Sequence, residues 1–232
     1  MKTVGVLGGM GPQATMDFEA RFHRAAQRMI PPRWNAGYPP LVVFYLRHPP
    51  MRCDAEGRPR SPLEPDPRLL EAARRLGSAS DVLVIAANWP HRFAPEIEQA
   101  SGRRVLNMIA LAIDEVRRRR WRRVGVVGLG DPVVYTTPLA EIGVECEILA
   151  PGLRDALDLG IGALMEGREG EEQRAAARRA VEDLRARQVD GILLGCTEIP
   201  LLLGAAGEGA DLLNPLQLLA EAVVRLAIEE SS

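Results

Sequence analysis

The sequence predicts an α/β fold of two pseudo-symmetric, three-layer lobes with mainly parallel sheets and a cleft between them. Short β-branched runs alternate with longer amphipathic ones, the pattern of a parallel sheet with crossover helices. The two halves also echo each other. Val4-Gly5-Val6-Leu7-Gly8 resembles Val124-Gly125-Val126-Val127-Gly128, and the run from Asp81 to Asn88 resembles the run from Asp190 to Thr197. With 232 residues, 47% hydrophobic and 26% charged, the chain is long and apolar enough to bury a core in each half.

The elements follow in order. Thr3–Gly8 reads as a buried strand and Pro12–Ile30 as a helix opened by its proline. Leu41–Leu46 is a second strand. Arg47–Pro65, rich in Pro and Arg, is a loop of a length that usually carries function. Pro67–Gly77 reads as a helix ending at its glycine, Asp81–Ala86 as a third strand, and Pro90–Ala100 as a short helix. Asn107–Arg120 carries Met108, Ile109, Ala112, Ile113 and Val116 with helical period. Strands at Val124–Gly128 and near Val144–Leu149 come next, then a charged helix over Glu171–Gln188 with Ala176, Ala180, Val181 and Leu184 inward. Gly191–Gly195 is a fully apolar strand, and a helix at about Pro215–Ile228 closes the chain. The expected division is 1–104 with the C-terminal helix 212–232, and 105–211. Ligands in such sheets bind beyond the carboxyl ends of strands, which puts Gly8–Gly11, Ala87–His91 and Cys196–Glu198 at the mouth of the cleft.

Composition excludes several chemistries. A net charge of -2 gives no overall drive toward nucleic acid or an anionic membrane. No apolar run approaches the ~18 residues of a membrane span, and no signal peptide precedes the strand at Thr3. Cys53, Cys146 and Cys196 are an odd set without metal-ligand spacing, as expected of a reduced cytoplasmic protein that holds no metal. Lys2 is the sole lysine, so a Schiff-base or pyridoxal-phosphate lysine and a Walker A loop are excluded.

Cys196 ends a buried strand just where a helix begins, a place where amide donors and the helix dipole favour a thiolate. The competing reading is a buried small hydrophobe. Cys53 and Cys146 have weaker cases, one in the Arg/Pro loop and one between two glutamates. Gly9, Gly11 and Ala14 fit a dinucleotide fingerprint after a strand, but no acidic residue ends the next strand, where Arg47 stands instead. A tight turn offering its amides to a small anion is the favoured reading. Arg117–Arg123, with Trp121 inside it, resembles a nucleic-acid patch, yet arginine at a helix C-terminus complements the dipole without further purpose. His91 is a candidate acid or base or else a helix-turn histidine satisfied by backbone; His23 reads as structural and His48 as a loop residue.

Two motifs carry a family resemblance: Gly8-Gly9-Met10-Gly11-Pro12 with Ala14-Thr15, and Gly195-Cys196-Thr197-Glu198. With these the chain resembles the aspartate/glutamate racemase superfamily nearly end to end. The resemblance implies a cofactor-independent enzyme, commonly a homodimer, in which two cysteines on opposite faces of an amino acid's Cα remove and return its proton. Cys196 matches the second cysteine. At the first, the family pattern Cys-Asn-Thr-Ala-His becomes Ala87-Asn88-Trp89-Pro90-His91, keeping Asn88 and His91 but not the thiol. The resemblance also implies that Arg52 holds the substrate's distal carboxylate, that Asn88 and Thr197 bind the α-carboxylate region, that Glu198 is a further substrate-binding residue, and that Met10, Gly11 and Thr15 line the floor. A lysine of those enzymes is replaced at Glu166 or its neighbours. Their usual threonines are missing from Gly128–Pro132, with Thr136 and Thr137 a little further on.

Inversion needs an acid on the face opposite the base, and a methyl group supplies no proton. Three readings follow. In the first, Cys196, aided by His91 or water, transfers a Cα proton on a small acidic amino acid such as aspartate or glutamate. In the second, one acid suffices, as in a cofactor-free decarboxylase or a cis–trans isomerase of a dicarboxylic acid. In the third, the chain only binds such acids.

Overall fold

The structure, a computed structural model, describes residues 1–32, 34 and 36–229. The chain divides into two compact units, Met1–Met108 with the segment from Leu216 onward, and Ile109–Pro215. Residues 230–232, which the sequence reading assigned to the first lobe, lie outside the described residues.

In the first unit, β1 (Val4–Gly8), β2 (Leu41–Tyr45), β3 (Val82–Ile85) and β4 (Val105–Leu106) form a parallel sheet in the order β2-β1-β3-β4. The pleat sends alternate side chains to opposite faces. Leu7, Leu83 and Ile85 join the buried cluster of Leu69, Ala72, Ala73 and Leu76 from α2 (Pro67–Ala79) and of Ile97 from α3 (Ala94–Ser101). Val4, Val6, Val82 and Val84 are buried on the other face. α1 (Pro12–Met29) buries Phe18, Phe22 and Ala25, a stripe at helical spacing. Its Arg21, 8% exposed, pairs with Asp17 and donates to Gln217 Oε1 at 2.8 Å on the closing helix, labelled α9 below.

The helix expected to stop at Gly77 runs on to Ala79. Gly77 is there for contact rather than for termination: a Cβ on it would lie 2.1 Å from the Ser101 carbonyl oxygen, so only glycine lets α2 pack this closely on α3. The short helix expected over Pro90–Ala100 splits into a 3-10 turn, Trp89–Phe93, and α3.

The second unit repeats the arrangement. β5 (Arg123–Val127), β6 (Glu145–Ile148), β7 (Gly191–Leu194) and β8 (Leu212–Leu213) are parallel in the order β6-β5-β7-β8. α4 (Met108–Arg119) enters the unit, and α5 (Val133–Glu141) and α6 (Pro151–Met165) are helices the strand pattern alone did not predict. α6, α7 (Glu171–Ala186) and α8 (Ile199–Leu203) close one face of the sheet through Leu157, Ile161, Ala180, Leu184, Ile199 and Leu202. α9 (Pro215–Glu229) then returns to the first unit.

The echo between the halves is physical as well as textual. The Asp81 N–H donates to the Thr3 carbonyl at 2.9 Å, and the Asp190 N–H donates to the Arg123 carbonyl at 2.7 Å. Each aspartate also caps the start of the neighbouring strand: Asp81 Oδ2 accepts from the Thr3 N–H, and Asp190 Oδ2 from those of Arg122 and Arg123.

Candidate active site

In the second unit, β5 and β7 run side by side, with Val127 opposite Leu194, so their carboxyl ends emerge together. Cys196, Thr197 and Glu198 follow directly and are 7%, 5% and 1% exposed. One oxygen, Glu198 Oε2, accepts hydrogen bonds from the Cys196 thiol at 3.1 Å and from the Thr197 hydroxyl at 2.9 Å. The rest of Cys196 packs in the apolar cluster with Ile199 and Leu202. Burial pushes the thiol well above the ordinary cysteine range, and the Glu198 and Asp158 carboxylates push it further.

This corrects the expectation of a helix-activated thiolate. α8 is only 5 residues long, and the Glu198 backbone amide is the one donor that favours the charged sulfur. Desolvation and two carboxylates outweigh it, so the thiol form of Cys196 is favoured over the thiolate.

Two neighbours of Cys196 were not singled out in the sequence. The fully buried Tyr135 of α5 packs its ring 3.1 Å from where a Gly195 Cβ would stand, and its hydroxyl is raised well above the usual phenol range by burial and by Cys196. Asp158 of α6 accepts the Gly130 N–H at 3.0 Å and so holds the turn after β5. The helix-start signal Asp131-Pro132 ahead of Tyr135 was the available clue.

In the first unit, β1 and β3 are likewise neighbours, with Leu7 opposite Ile85. Gly9 has φ of 85°, and a Cβ on it would stand 2.7 Å from the Leu46 backbone nitrogen. The turn is therefore packed against the end of β2 as well as left-handed. The Thr15 hydroxyl accepts the Gly9 N–H at 2.8 Å and donates to the Gly11 carbonyl at 3.1 Å. Met10 lies half-buried against the α2/α3 cluster, as do Met51 and Trp89.

Asn88 is buried, 9% exposed, at the end of β3. His91 is 6% exposed, and neither ring nitrogen has a hydrogen-bond partner among the described residues. Burial brings its pKa down to about 4, outweighing the opposing pull of the Ile85 backbone. Near neutral pH the ring is uncharged, so it holds no imidazolium proton to give. Arg52 stands in more open surroundings: half-exposed, 3.5 Å from Glu64, in a groove of about 380 Å³ shared with Pro65, Leu70 and Arg74.

Strand register also identifies the counterpart of the thiol. The Ala86 N–H donates to the Leu7 carbonyl at 3.0 Å, and the Gly195 N–H donates to the Val127 carbonyl at 2.6 Å. One residue further along each strand exit stand Ala87 in the first unit and Cys196 in the second. The repeated architecture therefore puts Ala87 and Cys196 at equivalent places in the two units, and of the two only Cys196 has an ionisable side chain.

The arginine run is largely neutralised from within. Arg117 pairs with Asp114, Arg118 and Arg119 with Glu115, and Arg123 with Glu147. The two arginines on Glu115 hold its carboxyl down to about 2. Among the described residues no helix is long and apolar enough to cross a membrane.

Residues 7–223 match the profile of the Asp/Glu/hydantoin racemase family. The chain belongs to that family. Its fold is shared with an aspartate racemase from Picrophilus torridus, at 22% identity and a TM-score of 0.79, over 98% of this chain and 94% of that one. It is shared also with an aspartate racemase homologue from Pyrococcus horikoshii, at 20% identity and 0.73, over 98% and 99%. A glutamate racemase from Francisella tularensis, solved with D-glutamate, aligns at 15% identity and 0.62, over 98% and 81%.

Proposed function

We propose that this racemase-family chain transfers a proton at the Cα of a small acidic amino acid such as aspartate or glutamate, without a cofactor, and that Cys196 is the thiol acid/base. The observation that carries the reading is the Cys196 thiol at the exit of β7, 3.1 Å from Glu198 Oε2. A carbanion at Cα needs a proton donor and polar stabilisation close by. In this reading Asn88 and Thr197 bind the α-carboxylate region, the Met10–Thr15 turn lines the floor, and Arg52 clamps the distal carboxylate in the planar fork that suits arginine. The three free cysteines support a reducing, cytoplasmic setting, and the family resemblance supports a homodimer.

Ala87 favours a second reading. A thiol that keeps its proton, with a methyl group at the equivalent position, suits delivery of a proton to one face. A decarboxylase or a cis–trans isomerase of a dicarboxylic acid needs no more than that.

The test is Cα–H exchange of aspartate and glutamate in heavy water, followed by chiral analysis. Exchange with change of enantiomer supports racemisation; exchange with retention supports one-sided proton transfer. Cys196→Ser is expected to abolish exchange, and persistence of exchange removes Cys196 from the mechanism. Carbon dioxide from a substituted malonate, or fumarate from maleate, identifies the second reading. Thermal stabilisation by dicarboxylates with no turnover of any kind leaves a binding protein.

A further inference from the structure

The Cys196–Glu198 contact is built more firmly than a substrate-binding glutamate requires. Glu198 is 1% exposed, and its Oε2 is taken up by two donors from the same turn, the thiol and the Thr197 hydroxyl. A thiolate placed 3.1 Å from an ionised carboxylate in an apolar surrounding would set two like charges side by side, which one of the pair avoids by holding a proton.

We propose that Glu198 is a positioning residue that shares a single proton with Cys196, so that the pair, rather than the sulfur alone, is the acid/base of the second unit. This deepens the function proposed above and rests on it. In the resting pair the proton sits on sulfur and is donated to Glu198 Oε2. For abstraction it moves to the carboxylate, leaving a thiolate beside a neutral carboxylic acid. The thiolate then takes the Cα proton: the C–H bond breaks, an S–H bond forms, and the electron pair stays on the substrate. The carbanion now faces two neutral groups instead of an anion. Return of the proton reverses each step, breaking S–H and forming C–H. Thr197 keeps the carboxylate turned toward sulfur by its hydroxyl hydrogen bond.

The other groups that act on Cys196 are the Asp158 carboxylate of α6 and the Tyr135 phenol of α5. Asp158 disfavours a lone thiolate, whereas for Tyr135 it is Cys196 that raises the phenol. Neither supplies a carboxylate hydrogen-bonded to the sulfur, which Glu198 does.

The test compares wild type with Glu198→Gln and Glu198→Asp by two readouts. The first is the pH dependence of Cys196 alkylation by iodoacetamide in the intact chain, with Cys53 and Cys146 changed to serine in all three proteins. The second is Cα–H exchange. Glu198→Gln removes the negative neighbour, so alkylation is expected to begin at lower pH. Exchange is expected to fall about a hundredfold, because the amide cannot take the proton. Glu198→Asp should restore a wild-type alkylation profile and part of the exchange. An unchanged alkylation profile in Glu198→Gln with unchanged exchange overturns the shared proton. If the alkylation profile shifts while no variant, wild type included, exchanges any Cα–H, the pair stands and the proposed reaction falls.

Discussion

Thr15 closes the β1 turn on itself: its hydroxyl accepts the N–H of Gly9, six residues earlier, at 2.8 Å in a fully buried setting. The same oxygen donates to the Gly11 carbonyl. Deleting it leaves a buried donor without an acceptor. Thr15→Val is expected to lose about 1–3 kcal/mol in urea unfolding, and Thr15→Ser less, since serine keeps the hydroxyl.

Two glycines in helices should respond in opposite directions. Gly77→Ala places a Cβ 2.1 Å from the Ser101 carbonyl oxygen, and α2 and α3 must separate to admit it. Overpacking of that kind costs about 1–3 kcal/mol and outweighs the better helix propensity of alanine. At Gly162 in α6 a Cβ meets nothing within 4 Å. Gly162→Ala should therefore stabilise by about 0.5–1 kcal/mol. Thermal unfolding of the two variants beside wild type gives both signs in one experiment.

His91 makes stability depend on pH. Its pKa of about 4 in the folded chain lies below the unfolded value of roughly 6.5. Between those values the unfolded chain takes up a proton that the folded chain refuses. Stability from this residue is full above the unfolded pKa and falls as pH drops toward 4, by at most roughly 3 kcal/mol. His91→Gln should flatten the slope of unfolding free energy between about pH 7 and pH 5. An equal slope in both proteins would show that the ring reaches a proton-accepting partner when charged.

Ala87→Cys places a thiol at the strand exit equivalent to that of Cys196. Only 5% of Ala87 is exposed, so one added sulfur is a modest change in volume. Under the proposed function, chiral chromatography should then find enantiomer interconversion increased over wild type, and none in Ala87→Cys/Cys196→Ser.

How far the sequence could be read differs by element. Strands buried on both faces, such as Val4–Gly8 and Gly191–Leu194, announce themselves as short apolar runs, and the matched Asp81 and Asp190 marked the repeat. α5 and α6 were missed because proline and glycine interrupt their pattern: Pro138 lies inside α5, and Gly160 and Gly162 lie inside α6. Gly77 misled for a related reason. Its purpose is a contact with Ser101, 24 positions away along the chain, that no local pattern displays. At the candidate site the residues were legible and their electrostatics were not. Cys196 and Glu198 stood in one motif, but the sign of the thiol's shift depends on burial and on Asp158, which the fold alone brings into range.

The return of α9 to the first unit sets an order for synthesis. Gln217 and Glu221 hold Arg21 and Arg28 of α1, and the Ala227 carbonyl accepts the Lys2 N–H at 3.1 Å. The strands of the first unit therefore wait for α9 to be made, while Ile109–Pro215 has all its own strands beforehand. Translation begins with one half and maturation with the other, so a stop codon near residue 214 would leave Arg21 with Asp17 but without Gln217, and would remove the buried Leu216, Leu219 and Val223, making the earlier half a ready substrate for quality-control proteases.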